Sequence, residues 1–193
     1  MFDVSYIAHS LRGAWLIMLG RKEGLSLIDV STDGFWRSFL AILIGIPALL
    51  ATCFASAKWS SLVSELSTTQ FIIRSFIIEL IAWLLPFIAL GLVIGRLGLG
   101  SRFATYVVAM NWASLIVLYF MLPIDLLGVF LAHDHIVLAL LSVAYLVAAI
   151  IFLFLITHVT LATEFPVSIA LFLGTLVFTF GVDLDLQDML GIS

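Results

Sequence analysis

Residues 38 to 57 run for about 20 positions, the length that crosses the hydrocarbon of a bilayer, without one charged side chain, and residues 136 to 157 do the same. No water is present in hydrocarbon to satisfy peptide groups, so such a run crosses as a helix that pairs its own N–H and C=O groups. Three more stretches have similar length: 71 to 95, 103 to 124 and the shorter 165 to 182. The apolar segments are continuous rather than alternating over about ten residues, which argues against a β-barrel. The expected fold is therefore all-α, a polytopic helical membrane bundle with five transmembrane helices. Composition agrees, because 64% hydrophobic and 10% charged residues stand far from the roughly half apolar and quarter charged make-up of a soluble domain.

Ahead of the first span, Val4, Ile7, Ala8, Leu11, Ala14, Trp15, Met18 and Leu19 recur at intervals of three and four, the stripe of an amphipathic helix. His9, Ser10, Arg12 and Gly13 occupy another face. Burying Arg12 at the bilayer centre would cost about 2.5 to 3.5 kcal/mol, so an interfacial or bundle-packed helix is expected rather than a sixth span. Trp15 suits headgroup depth, and Gly20 can stop the helix before Arg21-Lys22-Glu23-Gly24 turns at the surface. Ser31-Thr32-Asp33-Gly34 supplies capping side chains, and Trp36 and Arg37 form an interfacial anchor at the mouth of the first span. The chain thus divides into an amphipathic cytoplasmic or interfacial segment, 1–34, a five-span domain, 35–182, and a short acidic extracytoplasmic tail, 183–193.

Cations set the expected orientation, since Lys and Arg in short flanking segments stay on the cytoplasmic side. Arg12, Arg21, Lys22 and Arg37 precede the first span, and Arg96 and Arg102 flank the loop after the second. Five spans put all six at one end, predicting a cytoplasmic N-terminus and an extracytoplasmic C-terminus in a bacterial inner membrane. No removable signal peptide is expected, because the N-terminus lacks a basic region leading into an apolar stretch with a small-residue cleavage site. A net charge of -4 offers no basic field for nucleic acid, so the expected partners are the lipid bilayer and other membrane proteins or a second copy of the chain. The single cysteine, Cys53, excludes an internal disulfide.

Polar residues inside spans mark where function can reside, because they are expensive in lipid and face the bundle interior or a water-filled cavity. They are Arg74 and Glu79 in the second span and Asn111 in the third. Arg74 and Glu79 lie five residues apart, about 140° around a helix, so they do not form the usual neighbouring pair. Asn111 reads first as an interhelical hydrogen-bonding residue, with proximity to Glu79 as a hypothesis. Gly91 and Gly95 form a GxxxG spacing that lets another backbone approach. His133 and His135 are weak metal candidates, since a specific site needs three or four converging ligands; a helix-capping loop is the favoured reading there. No hydrolase triad, HExxH or phosphate-binding loop is present, so neither an enzyme nor a cofactor is expected.

Gly13-Ala-Trp-Leu-Ile, Asp33-Gly-Phe-Trp-Arg-Ser-Phe at the first span, and Met110-Asn-Trp-Ala-Ser in the third resemble small bacterial membrane proteins grouped loosely with the Yip family. The resemblance implies a cytoplasmic N-terminal segment, five spans and an extracytoplasmic C-terminus, and brings no ligand or catalytic residues with it. The leading expectation is a non-enzymatic membrane-organising protein or accessory subunit of a membrane complex. The alternative is a small-solute or ion transporter using the polar residues of spans two and three.

Overall fold

The computed structural model describes residues 4–60, 66–131 and 135–192, with the backbone alone at 59 and 60. Every regular element among them is helical: α1 (Val4–Met18), a 3-10 turn at Lys22–Ser26, α2 (Thr32–Ser38), α3 (Leu40–Ser60), α4 (Thr68–Ile94), a second 3-10 turn at Gly100–Arg102, α5 (Phe103–Phe130), α6 (Ile136–Leu161) and α7 (Phe165–Met189). Five stretches are long and apolar enough to cross a membrane: Thr32–Lys58, Thr68–Ile94, Gly100–Phe130, Ile136–Leu161 and Phe165–Met189, with mean hydropathy between 2.0 and 2.9. The first of them joins α2 to α3 across Phe39. This is the expected five-span helical bundle.

Local chemistry sets the helix ends. The Ser31 hydroxyl accepts the Gly34 N–H at 3.1 Å and starts α2, as the capping residues predicted. Ser67 and Gln70 form a reciprocal capping box at α4. Gly20, at φ +76, ends α1 with the Arg21 N–H on the Leu16 carbonyl at 2.9 Å, a left-handed stop that glycine adopts without strain. Two boundaries depart from the sequence reading. The third span continues through Pro123 and Asp125 to Phe130. The acidic stretch is not a separate tail from 183 onward: it prolongs α7 to Met189, with the Gln187 amide donating to Asp183 at 2.7 Å, and stops at Gly191 (φ +62). The i,i+4 side-chain bond supports the extra turns despite the charge.

The spans close into a ring in the order α3, α5, α6, α7, α4, each packed on its two neighbours and α4 returning to α3. Parallel α3 and α5 are tied along their length, by Tyr119 Oη donating to the Ile44 carbonyl at 3.0 Å and by Lys58 donating to the Val129 carbonyl. Tyr145 of α6 donates to the Val117 carbonyl at 3.1 Å. Only 6% of the most apolar window of α6 is buried, against 39% in the first span, so lipid must cover most of α6.

The N-terminal segment is bundle-packed. α1 lies across α5 and α6, and Trp15 packs against Phe120 and Phe152 at centroid distances of 5.9 and 6.0 Å. Its buried face is Ser10, Gly13, Ala14, Ile17 and Met18, whereas Val4, Ala8 and Leu19 of the expected stripe are exposed. The contact face is thus rotated toward the small residues. Their size is the reason: a Cβ on Gly24 would come within 2.4 Å of the Gly13 carbonyl oxygen, so two glycines let the 3-10 turn cross directly over α1.

Candidate functional site

All five spans contribute to a chamber of about 620 Å³ in the middle of the ring. Two carboxylates line it, Glu79 of α4 and Asp125 of α5. Hydroxyls from Thr52, Ser56, Ser75, Ser114 and Thr175 and the amide of Gln187 add polarity, while no Lys or Arg stands among the described lining residues. The chamber reaches from Ser56, Phe71 and Ile192 at the helix ends remote from the N-terminal segment down to Trp83, Tyr106 and Met110. Apolar side chains provide most of the remaining wall. A volume of this size lies within the roughly 300 to 1,000 Å³ of small-molecule sites, which share the same mixture of apolar walls and a few placed polar groups.

Glu79 reaches the chamber because it sits three turns into α4 on the face that also carries Ser75 and Trp83, four residues to either side. Its side chain remains exposed although the residue lies in the middle of a span.

A polar and aromatic floor closes the chamber toward the N-terminal end. The Trp83 indole N–H donates to Asn111 Oδ1 at 3.1 Å, Asn111 Nδ2 donates to the Ser38 hydroxyl at 2.9 Å, and Ser38 donates to the Phe35 carbonyl at 2.7 Å. Asn111 is 0% exposed. Its amide joins α2, α4 and α5, the interhelical role expected of it, and meets α4 at Trp83, one turn beyond Glu79. Phe39, Phe87 and Tyr106 stack edge to face in sequence below, at 6.4 and 6.3 Å. Trp83 itself fits because α3 carries Gly45 opposite, where a Cβ would stand 3.2 Å from the indole ring.

The remaining sequence candidates fall outside the chamber. Arg74 directs its guanidinium to the Leu190 carbonyl at the C-terminal end of α7, where unpaired carbonyls and the helix dipole attract a cation. Gly91 and Gly95 do not bring a second backbone close within this chain: Gly91 faces only the Phe103 ring, at 3.5 Å from a built Cβ, and Gly95 has nothing within 4 Å. Close packing is found instead at Gly13, Gly24 and Gly45. Trp36 is 68% exposed beside Arg37, which pairs with Asp33 at 3.2 Å and sits over the Tyr6 ring at 5.9 Å. His135 caps α6 by accepting the Val137 N–H at 3.3 Å, and His133 lies outside the described residues. Among the described residues no three His, Cys, Asp or Glu side chains converge to hold a metal.

Sequence reasoning singled out Glu79 and missed Asp125, which lies one residue beyond the 103 to 124 stretch. The available signal was the continuation Leu126-Leu127-Gly128-Val129-Phe130, apolar enough to carry the helix past Asp125. Compared with family models, with curated proteins and with solved structures, the chain matches none.

Proposed function

We propose that this chain is a non-enzymatic transporter of a small solute or ion, with the central chamber as its binding place, in a bacterial inner membrane with the N-terminus cytoplasmic. The observation that carries the reading is that Glu79 and Asp125, from two different spans, line one chamber with no Lys or Arg among its described lining residues. Ionisable groups in spans are retained at substrate and ion pathways, and an acidic, cation-free wall selects positive or neutral solutes over anions. Arg37, Arg96 and Arg102 are exposed where the first span begins and where the second and third meet, which supports the cytoplasmic placement of that end. In that orientation the end of the chamber lined by Ser56, Phe71 and Ile192 lies toward the extracytoplasmic side. Flux of a panel of ions and metabolites into liposomes carrying the purified protein tests the reading. Transport that falls in Glu79→Gln and Asp125→Asn is the expected result; absence of flux for the whole panel refutes it.

A second reading, a membrane-organising or accessory subunit of the kind the Yip-like motifs suggest, draws on the N-terminal segment. α1 and its 3-10 turn are fixed to the bundle yet expose Arg12, Arg21 and Lys22, a cationic surface suited to anionic lipid or an acidic partner. Deleting residues 1 to 30 should then reduce partner recovery and lipid association. Unchanged recovery and association would remove this reading.

A further inference from the structure

Building on the transport reading, we infer that the chamber's solute is a small organic ammonium ion, an apolar body carrying one amine or quaternary nitrogen. Charge sets the sign of the ligand. Glu79 and Asp125 come from different spans, and no Lys or Arg stands among the described lining residues to neutralise them. Arg74, the cation of the same span, is engaged with the Leu190 carbonyl.

Shape and surface narrow the class. A tightly held divalent ion usually draws on several His, Cys, Asp or Glu ligands, and no three such side chains converge among the described residues. A chamber of about 620 Å³ is far larger than one ion, and its walls are mainly apolar. Those walls carry aromatic rings where a cation would rest: Trp83 stands four residues from Glu79 on the same face of α4, with Tyr145 and Phe172 contributed by α6 and α7. The Trp83 and Tyr145 polar atoms are already bonded, to Asn111 and to the Val117 carbonyl, so each ring is held in place. A carboxylate beside an indole face is the chemistry that recognises ammonium groups, through charge pairing and cation–π attraction together.

The test uses the full chain in lipid nanodiscs, with tetramethylammonium and butylammonium as probes, butanol and butyrate as neutral and anionic counterparts, and rubidium as an inorganic cation. Binding is followed by tryptophan fluorescence, and flux is measured in liposomes. The expected result is saturable binding of both ammonium probes at least about tenfold tighter than butanol or butyrate, a gap that corresponds to about 1.4 kcal/mol. Glu79→Gln should erase that preference and Glu79→Asp should restore most of it. The charge series on the wild-type protein decides the question even where a variant does not fold. Equal binding of butanol or butyrate overturns the inference. Rubidium flux without ammonium binding overturns it while leaving the transport reading standing, and absence of both binding and flux overturns the two together.

Discussion

The indole N–H of Trp83 donates to Asn111 Oδ1 at 3.1 Å, and the same Asn111 side chain donates onward to Ser38 at 2.9 Å. One fully buried amide therefore fixes both the wall of the chamber and the start of the first span. Asn111→Ala leaves the Trp83 N–H and the Ser38 hydroxyl without this partner, and intramembrane hydrogen bonds of this kind are worth roughly 0.6 to 2 kcal/mol. Asn111→Ala and Trp83→Phe should each lower stability in reversible unfolding from mixed micelles, and the double variant should lose less than the sum of the two. Strict additivity would mean that the two residues are energetically independent.

Gly24 is the tightest point between the 3-10 turn and α1. A methyl group there meets the Gly13 carbonyl at 2.4 Å and Ile17 Cγ1 at 2.7 Å, and the backbone oxygen cannot move without shifting α1. Gly24→Ala should destabilise the docking of α1 by about 1 to 3 kcal/mol, the usual range for overpacking. Faster tryptic cleavage at Arg12, Arg21 and Lys22 is the readout. Gly95→Ala, at a position with open space around it, should leave cleavage unchanged.

Span number and type were legible in the sequence because they depend on a property summed over about 20 residues, and no tertiary contact can hide 38 to 57 or 136 to 157. Glu79 and Asn111 were legible for the same reason, as polar departures from an apolar background. Which helices meet was not. The ring order and hence the chamber depend on helix rotation and tilt, to which residues such as Gly45 under the Trp83 ring contribute through shape alone. Hydrophobic periodicity failed similarly in α1, where the buried face follows Ser10 and Gly13 because size decides how near two backbones come.

Arg74 joins the beginning of α4 to the end of α7 through the Leu190 carbonyl. Arg74→Gln removes the charge that complements the end of α7, a contribution of about 0.3 to 1 kcal/mol. Amide exchange from Leu186 to Ile192 should accelerate in that variant and change less in Arg74→Lys. Equal exchange in wild type and Arg74→Gln would show that α7 ends independently of α4.

Asp29 accepts the Ser31 N–H at 3.0 Å just before α2. Hydrogen bonds from the Ser31 hydroxyl and then its backbone hold the Asp29 carboxyl below the ordinary value of 3.8. A depressed folded-state value means that the ionised form stabilises the fold: the contribution is complete above 3.8 and is lost as pH falls below it through the folded-state value. Amide exchange at Ser31 and Gly34 should therefore rise on acidification below that value. In Asp29→Asn the exchange should already be faster at neutral pH and show a smaller acid-induced change.

Orientation decides which compartment the chamber faces, and single cysteines can report it. Cys53 is buried on α3, so a Cys53→Ala background removes the native thiol with little change in polarity. Arg96→Cys lies in the exposed loop between α4 and α5 at the closed end, and Asp185→Cys lies on an exposed position of α7 at the opposite end. With the six cations retained in the cytoplasm, a membrane-impermeant maleimide added to intact cells should label the cysteine at 185 and spare the one at 96. Permeabilisation should then expose both to the reagent. The reverse pattern in intact cells would invert the protein in the membrane and turn the chamber, with Glu79 and Asp125, toward the cytoplasm.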